Sequence, residues 1–396
     1  MTKLFAQHGA AKGKKIDNAF DNDRIEGVIL SPREECIDTM ISYINNNKLL
    51  NKDNCLYDPQ FYYSTYNNTS LLKKLEELEH YPQKVERKDW RKKSERLLTY
   101  FDSHVKQSEM FSDAIIVPGF HIEKLDWKFD YSLDIYSYFY ENYENKNQYL
   151  SLLISFSLFH SNSDVDEMIE EIVDNIQPEE RNGIYLTVCY ESTSNNNYEE
   201  VDPENLANVL YFVHSLKKEG FRIIVGYTFI NSLLFTMLDC DIVSSGWFNT
   251  LRKFNKGRFE ESDTFGRRKK RYTSIPLLTN ITFDIINNFD EDLLIKCLSG
   301  TSFDQAVVDD LESLSFVDLE QQYWEAINNC VKDINKSNQK IQYTIKLIEN
   351  AKKLYSDILI RNASSVELCY RIKKASSHLD VWITAIVLFK RRASIV

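Results

Sequence analysis

Two carboxylates stand where apolar runs end: Asp58 in YDPQFY, and Glu191 directly after IYLTVCY. A carboxyl group held partly out of water is a natural general acid or base, because desolvation raises its pKa toward neutrality. Two such groups on separate strands divide acid from base, or nucleophile from acid, so Glu191 and Asp58 are the expected catalytic pair. Asp58 has a plain use as well, since its side chain can cap the turn made with Pro59. Gln60 and Tyr62 follow closely enough to touch whatever Asp58 acts on. His8, after LFAQ, and His121, after the Pro118-Gly119 step, are placed for proton transfer or ligand binding, although histidines in such places often only bridge hydrogen bonds.

The segment DIVSSGWFNTLRKF carries a second kind of chemistry. A Ser244-Ser245-Gly246 turn between a late strand and a helix would present backbone N–H groups at a helix N-terminus, where anions bind. Arg252 follows, and Arg267 and Arg268 lie in a basic loop spanning 262–272. Together they would clamp a phosphate, a nucleotide or a nucleic-acid backbone. Trp247 would stack on a base or close the end of the fold. The bland alternative is a tight packing turn followed by a solvated basic loop.

Several classes are disfavoured. Seven cysteines are scattered singly, with no CxxC pair and no HExxH spacing, so no structural zinc site is expected and no metal ligand is assigned, although a barrel can assemble ligands from separate strands. No cofactor is specified, since GxGxxG, GxxxxGK[ST] and GxSxG are all absent. The net charge of -11 argues against indiscriminate coating of nucleic acid. With no long uncharged apolar run and no apolar leader, the expectation is a cytoplasmic chain that does not enter membranes. The stretch LFTMLDCDIVSSG resembles a late βα unit of tRNA-guanine transglycosylase barrels. That family's cysteine/histidine zinc spacing is absent, and neither Asp239 nor Asp241 matches its nucleophile, so no family is assigned.

These residues need elements to hold them. Short apolar, β-branched runs recur at 4–7, 27–30, 55–61, 114–117, 150–156, 184–190, 222–227 and 241–244, which makes eight. Amphipathic stretches at 34–45, 163–176, 203–219 and 231–238 read as helices between them. Strands buried on both faces and joined by helical crossovers give a parallel sheet, and eight repeats give a (β/α)₈ TIM-like barrel. The first connection is short, so an alternative count makes 4–7 an edge and 272–277 the eighth strand; an open doubly wound sheet is the runner-up. The expected domains are a barrel over 1–280 and an α-helical C-terminal region over 281–396, with helices at 318–336, 339–360 and 366–390. In such barrels function lies at the C-terminal ends of the strands. The expected activity is therefore that of a hydrolase or transferase using carboxylate acid/base chemistry on a phosphorylated, nucleotide or nucleic-acid substrate. The competing expectation is a non-catalytic barrel that binds a protein or nucleic-acid partner, or a second copy of itself, through the C-terminal helices and the basic loop.

Overall fold

The eight apolar runs form eight parallel strands: β1 (Lys3–Gln7), β2 (Gly27–Leu30), β3 (Cys55–Tyr57), β4 (Ala114–Val117), β5 (Asn147–Ser155), β6 (Asn182–Tyr190), β7 (Arg222–Val225) and β8 (Ile242–Ser245). The computed structural model describes residues 1–47, 50–66, 69–82, 84–143, 146–179, 182–190, 201–259 and 269–395. Hydrogen-bonded ladders run in the order β3-β2-β1-β8-β7-β6-β5-β4, so the chain's first strand lies between β2 and β8 and the sheet curls into a nearly closed barrel. The two end strands, β3 and β4, come into contact without a ladder.

Helices α1 (Lys15–Asp21), α2 (Ile37–Asn46), α3 (Glu95–Phe111), α4 (Trp127–Asn142), α5 (Asn162–Asn175), α6 (Pro203–Lys218) and α7 (Ser232–Thr236) fill the crossovers. Side-chain caps start three of them: Asp126 for α4, Ser161 for α5 and Asp202 for α6. Asp202 accepts from the backbone N–H groups of Glu204 and Asn205, both at 2.9 Å, with Pro203 at the first helical position. At the β3/β4 seam, His104 of α3 stacks on Tyr57 of β3 and donates from Nε2 to the Ile116 carbonyl of β4, at 2.9 Å. A side chain thus links two strands that no ladder joins.

Strand alternation sorts the side chains. Phe5, Ile29, Leu56, Ile116, Tyr149, Tyr185, Ile224 and Ile242 fill the barrel interior as one apolar cluster. Gly27 admits Phe5, since a Cβ there would lie 2.3 Å from its ring. One inward step closer to the C-terminal ends, the residues become polar yet remain buried: Gln7, Ser31, Asp58, Ser151, Thr187 and Ser244.

Run 272–277 is not the eighth strand. Instead β9 (Arg271–Ser274) pairs antiparallel with β10 (Thr279–Thr282) as a separate hairpin. Three long helices follow: α8 (Phe316–Lys336), α9 (Lys340–Arg361) and α10 (Val366–Arg392). Helix α8 packs on α1, β1 and β9, and its Asn335 bonds both the N–H and the carbonyl of Thr2, at 3.0 and 2.8 Å. Its Trp324 donates to the Ser245 carbonyl at 3.0 Å, so α8 covers the outer face of the β8–β1 joint. Arg392, near the end of α10, ties back to Asn162 and Asp166 of α5. Among the described residues no helix is long and apolar enough to cross a membrane.

Candidate functional site

The expected mouth residues separate into four places. The first is the polar floor of the barrel mouth around Asp58, which is fully buried just beyond β3. Its Oδ1 accepts from the Gln60 N–H at 2.9 Å, which is the turn-capping bond that YDPQFY allows. Its Oδ2 accepts from the Tyr185 hydroxyl at 3.3 Å, reaching over from β6. Gln60 adopts a left-handed backbone (φ 50°), accepts from the Arg33 N–H at 3.1 Å and donates to the Tyr227 hydroxyl at 3.4 Å. Burial, with Asp58 and Tyr227 close by, holds the Tyr62 phenol well above its ordinary pKa, so it stays a protonated donor. Ser244 donates to Gln7 Oε1 at 2.8 Å. Three buried polar atoms on this floor have no hydrogen-bond partner among the described residues: Gln7 Nε2, Ser31 Oγ and the Tyr62 hydroxyl. Each such atom costs about 1–3 kcal/mol, a penalty removed when a ligand supplies the missing partner.

His121 occupies the second place, on the short strand His121–Ile122 that pairs with β5. Its Nε2 meets Ser155 Oγ at 2.9 Å and its Nδ1 meets the Tyr66 hydroxyl. Burial pushes its pKa down to about 4, against the opposing pull of Glu123, so the ring is neutral at physiological pH.

His8 marks the third place. The Ser31 N–H donates to Nδ1 at 3.4 Å, which leaves Nε2 as the N–H that meets Glu35 at 3.0 Å. That bond from His8 holds the Glu35 carboxyl below its ordinary pKa despite partial burial. Both ring nitrogens are engaged, so His8 bridges two loops.

The fourth place corrects the expected anion seat. The element after β8 is a single 3₁₀ turn, Asn249–Leu251, not a helix, and the Gly246 N–H is bonded to the Leu251 carbonyl at 3.1 Å. Ser245 points outward, to the Thr228 carbonyl and the Tyr323 hydroxyl of α8. Arg252 is spent on the Gly246 and Trp247 carbonyls, at 2.8 and 3.3 Å, with its guanidinium 3.5 Å from the Tyr323 ring centre. Trp247 donates to the Ala10 carbonyl at 3.1 Å and packs edge-on against Trp324, closing the barrel end. Glu191, Arg267 and Arg268 lie outside the described residues.

Reading by strand ends missed three features. Tyr185 lies inside an apolar run and reads as core; only the inward alternation of Tyr185 and Thr187 in IYLTVCY signals a polar interior. Tyr66 and Ser155 carry no local signal for a pairing with His121. The rim cleft bounded by Ala10, Arg33, Glu34, Lys73, Phe248, Thr250 and Leu251, about 190 Å³, is assembled from the loops after β1, β2, β3 and β8. A second cavity of about 200 Å³, near Tyr136, Ile176 and Asn182, opens at the opposite end of the strands, the face that serves stability. Among the described residues no cluster of His, Cys, Asp or Glu could hold a metal ion.

No family model, no curated protein and no solved structure matches this chain. Its class therefore rests on its own geometry: a (β/α)₈ TIM-like barrel with a polar mouth.

Proposed function

We propose that this chain is a barrel enzyme, a hydrolase or transferase, in which Asp58 is the acid/base carboxylate acting on a small anionic substrate. The observation that carries the reading is the polar floor: a fully buried carboxylate with a tyrosine hydroxyl on it, ringed by Gln7, Ser31 and Tyr62 atoms that lack partners among the described residues. A substrate hydroxyl reaching Asp58 would give up its proton there. The Tyr62 and Tyr185 phenols, kept protonated by burial, would donate to the charge that develops.

The test is binding and turnover of sugar phosphates, nucleotides and short single-stranded oligonucleotides by wild type and Asp58→Asn. Expected is saturable binding from one class, kept within about threefold by the variant, with turnover falling about 10²–10⁴-fold. No binding from any class, or turnover undiminished in the variant, overturns the reading.

A second reading, a non-catalytic barrel that docks a partner, is favoured by aromatic filling of the same mouth. Phe254 packs edge-on against both Tyr62 and Tyr227, with centroids at 5.5 and 4.9 Å. Ile360, Val366 and Tyr370 are also exposed around the α9–α10 turn. Binding of none of the compounds transfers support to this reading.

A further inference from the structure

Pro32 to Cys36 form a rim loop, because α2 begins only at Ile37. That leaves Glu34 outside the helix, beside the cleft. Its carboxylate accepts from Arg33 Nη1 at 2.6 Å and from Lys73 Nζ at 2.9 Å, so two cations already hold one carboxylate between them. Arg33 is nine-tenths buried and fixed in place: Nε donates to the Leu71 carbonyl at 2.6 Å, and the guanidinium lies 4.6 Å from the Tyr63 ring centre. Its second terminal nitrogen has no partner among the described residues, and Arg33 lines the cleft. Lys73 is about half exposed and held at a left-handed φ of 50°. Arg33 and Lys73 against Glu34 give these three side chains a net positive charge.

We propose that this cleft seats a small oxyanion, the carboxylate or phosphate end of a ligand, between Arg33 and Lys73, where Glu34 acts as the resident competitor. This rests on the reading of the mouth as a substrate site, and it supplies the anion-holding cations that Arg252 does not. A guanidinium with fixed N–H geometry matches either oxyanion, and the lysine adds charge at the open edge. Size limits the ligand: about 190 Å³ is roughly six water volumes, below the usual range for a whole ligand pocket. An end group fits, with the rest of the molecule running toward Asp58.

The experiment titrates full-length protein with inorganic phosphate and, separately, with acetate, against chloride at equal ionic strength, by calorimetry. Wild type should bind at least one of the two saturably. Lys73→Ala should weaken that binding about tenfold, and Glu34→Gln should tighten it by a similar factor, since it removes the competing charge. Both variants alter side chains at the loop rim, and a thermal melt checks that they fold, which keeps the test independent of Arg33→Gln. Asp58→Asn should leave phosphate or acetate affinity unchanged. Absence of saturable binding over chloride, or a Glu34→Gln protein that binds no better than wild type, overturns the proposal. Oxyanion binding without any Asp58-dependent turnover leaves the cleft standing and removes the enzyme; the reverse result removes the cleft and leaves the enzyme.

Discussion

Ser244 and Ser245 are neighbours that serve opposite sides of one sheet. The first turns inward to Gln7, the second outward to α8, as strand alternation demands. Gly246, next in line, is required by crowding, because a Cβ there would lie 2.4 Å from Leu251 Cβ and 2.8 Å from the Gln7 carbonyl oxygen. Gly246→Ala should therefore destabilise the protein by about 1–3 kcal/mol, read as a lower denaturation midpoint at unchanged slope. An unaltered midpoint would mean that the turn gives way freely. At this scale the sequence is informative about where polar groups end a strand, and Asp58, Gln60, Tyr62, Ser244 and His121 do lie at the mouth. It is silent about spent groups. Arg252 reads as a free cation until the Tyr323 ring, supplied by a distant helix, is seen against it.

Elements were more legible than sites because their signals are local. Each strand is buried on both faces and shows as an unbroken apolar run, and all eight runs become barrel strands. Helix α6 is announced by Asp202-Pro203-Glu204, and its cap can be tested alone. Asp202→Ala should cost about 1 kcal/mol of stability in urea denaturation, while Asp202→Ser should restore most of it. Equal loss in both variants would show that the two backbone bonds to Glu204 and Asn205 do not matter. Boundaries were harder. The run 55–61 stops as a strand at Tyr57, because Pro59 cannot donate to a ladder and Gln60 turns left-handed. Helix α2 starts three residues later than its apolar spacing suggests, and the first of those residues, Glu34, lines the cleft. The hairpin of β9 and β10 is not legible as such, since β9 (RYTS) opens the run 272–277, which ends in Ile275, Pro276 and Leu277 and reads as one further strand.

For the molecule as a whole, three buried histidines couple folding to pH. Burial lowers the pKa of His104, His121 and His378 to about 4, while the unfolded chain binds the proton near the ordinary value. Their stabilisation is therefore complete above about pH 6.5 and lost as pH falls toward 4, on the order of 3 kcal/mol for each. Denaturation at pH 7 and pH 4.5 should show a drop of several kcal/mol, and His104→Gln should flatten the slope; a pH-independent midpoint would refute the coupling. His104 bears on the seam directly. Among the described residues its Nδ1 is buried without a partner, so protonation there strikes the joint between β3 and β4, which no ladder joins. The joint where β1 meets β8 under α8 has a different consequence, one that concerns synthesis. A ribosome releases β1 long before β8, and releases α8 later still, so the growing chain exposes one flank of β1 until β8 emerges and its outer apolar face, Leu4 and Ala6, until α8 does. The joint must wait for β8 to emerge and its cover for α8, and until then the nascent protein is a client for whatever shields apolar strands at the tunnel exit.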